Sequence, residues 1–175
     1  MSHSLPLIDI SELKVSDSRG RRSVDTALHE ALRDIGFAYV EGRGIAEERI
    51  KALNEISVDF FSLTPEVKKN YTVNKWHRGY LAPQTSTIVT SSVDNVTKPN
   101  QSESFLALSE VNAEGREGEN ENSLDGPNQW PQELPHMEAV CRTYMRDMRV
   151  LSIQIVHSIA RGFGIDEDWF DKFFK

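Results

Sequence analysis

Residues Arg21 to Val40, RRSVDTALHEALRDIGFAYV, decide the fold class. Val24, Leu28, Ala31, Leu32 and Ile35 recur at steps of mostly three and four, which lays one apolar stripe along a helix of about four turns. Gly36 ends that helix, because glycine enters the left-handed conformation without a Cβ clash. The chain leaves as Phe37-Ala38-Tyr39-Val40, an aromatic and β-branched run expected to form a buried strand. A second turn, Glu41-Gly42-Arg43-Gly44, leads into another amphipathic helix over about Ala46 to Phe61, marked by Ile50, Leu53, Ile56, Phe60 and Phe61. Helix, turn, strand, turn and helix in succession call for an α+β fold.

Working outward, Leu5-Pro6-Leu7-Ile8-Asp9-Ile10 suits a short edge strand, where proline is tolerated. On the other side Thr64-Pro65-Glu66 reads as a fresh helix start, with threonine as N-cap, proline at the first helical position and an acid in the first turn; Lys68 and Lys69 suit its C-terminal dipole. Between Tyr71 and Asn100 periodicity fades into a long polar loop that holds Trp76-His77-Arg78-Gly79-Tyr80 and Ile88-Val89. Glu103 to Leu108 reads as a strand, followed by an acidic loop over 109–125 expected to be solvated. Beyond Pro135 comes the clearest helix, about 135–162. Its stripe runs Met137, Val140, Tyr144, Met148, Leu151, Ile155 and Ile159, and at 1.5 Å per residue it spans about 42 Å. Gly162 and Gly164 stop it, and Asp166 to Phe174 forms a last amphipathic turn or two.

The 175 residues are enough for one domain with a real core, and the organisation is read as a single region, 1–175. The formal net charge of −7 disfavours nucleic acid and anionic membranes as partners. Six acids and one arginine between Ser109 and Asp125 carry −5 of that charge. One cysteine, Cys141, excludes an internal disulfide and a thiolate zinc cluster within one chain. No basic leader with an apolar segment follows Met1 and no apolar run has spanning length, so the expected location is cytoplasmic.

Few residue patterns carry chemistry. His136-Met137-Glu138 has the His-x-acid spelling, but residues two apart at a helix start point roughly 200° from each other and cannot easily grip one ion. His29 and His157 read as helix residues outside any ligand set, and Cys141 as a buried, inert thiol beside Val140 and Tyr144. Gly42-Arg43-Gly44 starts like a dinucleotide fingerprint, but Glu47 stands where its last small residue belongs; a turn needing positive φ accounts for it. No phosphate-binding loop, nucleophile elbow or His-Glu-x-x-His is present. No catalytic residue and no metal ligand is therefore assigned. Arg78-Gly79-Tyr80 joins an anion-binding fork, a phenol and a close-approach backbone. Two readings fit it, a contact for a carboxylate-bearing ligand and a salt-bridged loop anchor.

In order and spacing, the landmarks resemble the N-terminal region of the isopenicillin N synthase-like iron(II)- and 2-oxoglutarate-dependent oxygenases. The matching pieces are Leu5 to Ile10; Asp34 to Val40 followed by Gly44-Ile45; Phe60 to Leu63 with Glu66 and Lys68; Arg78-Gly79-Tyr80; Lys98-Pro99-Asn100 with Glu103-Ser104-Phe105; and Gly126 to Pro131 leading into the long helix. One departure is Gly42-Arg43, where the family has Asn-His before Gly-Ile. The resemblance implies the N-terminal part of a jelly-roll, or double-stranded β-helix, oxygenase that oxidises a small organic substrate, with Arg78 and Tyr80 as substrate contacts. It also implies that the His-x-Asp pair, the second histidine and the Arg-x-Ser that serve Fe(II) and 2-oxoglutarate belong to the jelly-roll core beyond Lys175. Arg21-Arg22-Ser23 spells Arg-x-Ser but lies far upstream. The core would then be a partner, in cis or on a homologous chain, and this chain alone would be neither catalytic nor cofactor-binding. The other readings are a noncatalytic interaction module and a truncated gene product.

Overall fold

The computed structural model describes residues 5–15, 19–85, 98–108, 110, 124 and 126–173. Short strands are β1 (Leu7–Asp9), β2 (Tyr39–Glu41), β3 (Gly79–Leu81) and β4 (Ser104–Leu106). The helices are α1 (Arg19–Asp34), α2 (Glu47–Ser62), α3 (Pro65–Lys69) and α4 (Met137–Gly162), with 3-10 turns at Ser11–Lys14 and Asp171–Phe173. This is the expected α+β class. Two compact units emerge, one of Met1–Arg49 with Tyr144–Lys175 and one of Ile50–Thr143.

In the first unit β1 and β2 pair in parallel, Leu7 with Tyr39 and Asp9 with Glu41. Ile8, Ile10, Leu13, Val24, Leu28, Ala31 and Leu151 form its core, with Met148 and Ile155 packed against it. The α1 stripe is thus real over Val24, Leu28 and Ala31 but does not extend to Leu32 and Ile35, which are exposed. Leu32 lies about 100° around the helix from Ala31, and Ile35 follows the helix end, where Gly36 takes φ +84° and donates to the Ala31 carbonyl at 3.0 Å. The strand after it is not buried as expected. Phe37 is 71% and Tyr39 62% exposed, because a two-stranded sheet covers only one face and the core takes Ala38 and Val40. Gly42 and Gly44 both have positive φ, as a turn requires.

A buried polar cluster in this unit was not legible in the sequence. Asp25 of α1 accepts hydrogen bonds from Ser158 Oγ at 2.7 Å and, on both oxygens, from Arg161 at 2.8 Å. Arg161 also reaches Glu167 at 2.7 Å. His157 Nε2 lies 2.8 Å from Asp171 Oδ1, which ties the last 3-10 turn to α4. There Trp169 meets Phe170 edge-on, and Lys172 sits over the Trp169 and Phe173 rings.

In the second unit Phe60, fully buried, meets Phe61, Tyr80 and Phe105 edge-to-face at centroid distances of 5.2, 5.9 and 4.6 Å. Tyr80, Met137 and Cys141 complete the buried set, with Trp130 and Leu134 partly buried against it. Burial pushes the Cys141 thiol pKa up, as an inert core thiol requires. Thr64 caps α3, accepting from Val67 N at 3.5 Å. The expected long loop contains β3, paired antiparallel with β4 through Gly79 with Leu106 and Tyr80 with Phe105. Three residues are too short for a visible alternation, so only the pairing reveals the strand. Ile88-Val89 and nearly all of the acidic loop lie outside the described residues. Its first acid is anchored instead of solvated: Glu110 accepts from Asn128 N at 2.7 Å and pairs with Arg142. Partial burial pushes the Glu110 carboxyl up, but these two donors outweigh it and the net displacement is downward. Among the described residues no helix is long and apolar enough to cross a membrane.

Candidate functional site

Tyr80 lies within β3, and Arg78 directly precedes that strand. Both are buried, Arg78 at 2% and Tyr80 at 4% exposure. The glycine between them has φ +115°, and a Cβ there would lie 2.2 Å from the Tyr71 carbonyl oxygen and 2.4 Å from Gln129 Nε2. Backbone and amide crowd this point, so only glycine fits.

The Tyr80 hydroxyl donates to Glu103 Oε2 at 2.5 Å, and the same oxygen accepts from Lys68 Nζ at 2.8 Å. Lys68 also donates to the Phe61 carbonyl at 2.9 Å. Burial and then the adjacent Glu103 carboxylate push the Tyr80 phenol up to about 12. Lys68 and then Tyr80 hold the Glu103 carboxyl below its ordinary value, since both donate to the charged form. Lys68 therefore does not complement the dipole of its own helix; its long stem carries the ammonium to α2's end and to a residue 35 positions away.

Arg78 is held differently. Its Nη1 donates to the Trp76 carbonyl at 2.6 Å, while Nε is buried with no acceptor among the described residues. Asn74 Oδ1 accepts from the Arg78 and Trp76 amides at 3.1 and 3.0 Å. Gln129 Nε2 donates to the Arg78 carbonyl at 2.6 Å and to the Thr72 carbonyl at 2.9 Å. No acid pairs with the guanidinium among the described residues.

Lys68, Glu103, Asn74 and Gln129 were not singled out from the sequence for this role. An acid opening a strand was the only local signal for Glu103, and nothing local marks the amides. Among the described residues no three His, Cys, Asp or Glu side chains gather where they could hold a metal ion. His157 has Asp171 alone, and Arg21, of the early Arg-x-Ser, lies 3.9 Å from Glu167. The described residues do not by themselves fit an iron centre.

Comparisons with known proteins agree on one family. The profile described as non-haem dioxygenase in morphine synthesis N-terminal matches residues 5–133. A homoarginine-6-hydroxylase of Arabidopsis thaliana is 32% identical over 168 residues, 90% of this chain and 48% of that protein. Isopenicillin N synthase of Streptomyces griseus is 28% identical over 172 residues, 95% of this chain and 50% of that protein. Among solved structures, a full-length Neurospora crassa protein in complex with alpha-KG has a TM-score of 0.73 at 26% identity, covering 97% of this chain and 50% of that one. A 2OG-Fe(II) oxygenase family protein of Caulobacter crescentus has a TM-score of 0.76 at 19% identity, covering 97% and 52%. The chain spans about half the length of the curated relatives it matches. It belongs to the isopenicillin N synthase-like iron(II)/2-oxoglutarate oxygenase family, of which it represents the N-terminal region.

Proposed function

We propose that these residues serve a cytoplasmic oxygenase that oxidises a small carboxylate-bearing molecule, and that Arg78 and Tyr80 contact that substrate. The carrying observation is the Arg78 guanidinium: buried, tethered at Nη1, and with an Nε that lacks an acceptor among the described residues. A buried donor without a partner costs about 1–3 kcal/mol, more for a charged group, and a carboxylate oxygen is the acceptor that best relieves it. Relatives named for homoarginine and 1-aminocyclopropane-1-carboxylate act on carboxylate-bearing compounds, which supports the substrate class. The Tyr80 hydroxyl is committed to Glu103, so Tyr80 offers a ligand its ring and its oxygen lone pair.

Iron and 2-oxoglutarate are bound by the jelly-roll core, in cis or on a homologous chain, and residues 1–175 alone do not turn over. Two measurements test this. The purified 175-residue chain, given Fe(II), 2-oxoglutarate and ascorbate, forms no succinate above the protein-free blank; a clear excess rejects the noncatalytic reading. In a full-length protein carrying these residues, Arg78→Ala raises KM for the carboxylate substrate about tenfold or more, the loss of one charge-assisted contact. An unchanged KM removes Arg78 from the substrate site.

A further inference from the structure

We propose that Asn74 and Gln129 are positioning residues that set the direction of the Arg78 guanidinium; this rests on the reading of Arg78 as a carboxylate contact. Arg78 stands one residue before the β3–β4 ladder, whose first pair is Gly79 with Leu106, so the ladder does not fix it. Side-chain amides do. Asn74 Oδ1 accepts from the backbone N–H of both Trp76 and Arg78, and the Asn74 backbone N–H donates to the Arg78 carbonyl at 2.9 Å. The peptide that carries the Trp76 carbonyl is held in the same turn, its His77 N–H donating to the Asn74 carbonyl at 3.0 Å, and the Trp76 carbonyl accepts Nη1 at 2.6 Å, which sets the plane of the fork. Gln129 holds the other side of the Arg78 peptide, 2.6 Å from its carbonyl.

Two further features show a turn held against local preference. His77, between Trp76 and Arg78, has φ 56°, an unusual conformation for a residue with a side chain. Trp76 is packed so closely against Gly126 that a Cβ there would lie 2.3 Å from its ring. With both of its peptide groups and one terminal nitrogen held, the Arg78 fork is pre-organised, and little rotamer freedom is lost when an acceptor meets Nε. The guanidinium is thus aimed by neutral amides, which fix its geometry without cancelling its charge.

The test follows the Arg78 Nε–H resonance by NMR in a full-length protein carrying these residues, with acetate as the anionic probe and acetamide as its neutral counterpart. In the wild type acetate shifts this resonance and acetamide does not. Asn74→Ala and Gln129→Met weaken acetate binding about fivefold while the remaining amide spectrum stays dispersed, and Asn74→Ser, which restores a neutral acceptor, returns it to within about twofold of wild type. A purely structural role changes stability without this selective loss. Equal acetate affinity in wild type, Asn74→Ala and Gln129→Met overturns the positioning role and leaves Arg78 as the contact. No acetate response in the wild type overturns the Arg78 reading, and the positioning role with it. Should Asn74→Ala lose its dispersion, Gln129→Met and Asn74→Ser decide the question.

Discussion

Gly79 is the residue on which the candidate site turns. Gly79→Ala imposes a left-handed conformation on a side-chain-bearing residue and drives its Cβ against the Tyr71 carbonyl oxygen. The expected loss is about 2 kcal/mol or more, read as a lower midpoint in denaturant unfolding. Tyr80 supplies a pH test. Its folded pKa, about 12, lies above the ordinary 10.0, so the stability it contributes is complete below pH 10 and is lost as pH rises toward 12. Glu103, displaced downward, contributes in the opposite sense: its share is complete above its ordinary 4.5 and is lost as pH falls. Unfolding midpoints followed from about pH 9 to about pH 12 should fall in the wild type and fall less in Tyr80→Phe. Equal slopes would mean that the phenol does not titrate with folding. Arg78 and Tyr80 were legible as chemistry-bearing residues because they flank a glycine. Their partners were not, since Glu103 lies 23 positions from Tyr80 and Gln129 lies 51 from Arg78.

Among the elements, α1 and α4 carry the largest buried electrostatic commitment. The forked Arg161–Asp25 pair, with Ser158 as a third member, lies inside the first unit. Asp25→Asn removes the negative charge and leaves a partly buried guanidinium with Glu167 as its one remaining acid among the described residues. The expected cost is about 3 kcal/mol, because breaking a buried pair leaves the partner's desolvation uncompensated. A destabilisation near zero in thermal or denaturant unfolding would show that Glu167 and water replace the pair. The elements themselves were largely readable. Thr64-Pro65-Glu66 opens α3, Gly36 closes the turn after α1, and α4 runs from Met137 to Gly162 against an expected 135–162. The apolar stripe of α4 was readable too, but Ala160, fully buried, lies off it. Ser158 falls on the stripe, seven residues after Leu151, but that its hydroxyl meets Asp25 is a fact of pairing between helices.

For the whole molecule, the decisive feature is apolar surface left in water. Phe37, Tyr39, Phe163, Trp169 and Phe173 are all exposed, the last at 63%. Exposed aromatic surface on this scale favours association over a stable monomer, even at a net charge of −7. In sizing experiments at low micromolar concentration the chain is expected to run above its 19.9 kDa mass or to precipitate. A monodisperse monomer would contradict this.

By itself the sequence determined the α+β class, the helix boundaries, the glycine-closed turns, the family and the Arg78-Gly79-Tyr80 triplet. Each of these is written in residues close together in the chain, where period, capping chemistry and backbone freedom act locally. Only the tertiary structure decided that Arg78 is tethered by amides and that Tyr80 is locked to Glu103 and Lys68. It alone placed Asp25 beneath Arg161 and left Phe37 and Tyr39 in water. Those outcomes depend on which distant groups meet once the strands pair and the helices pack. A buried charge must then find whatever partner the fold brings to it.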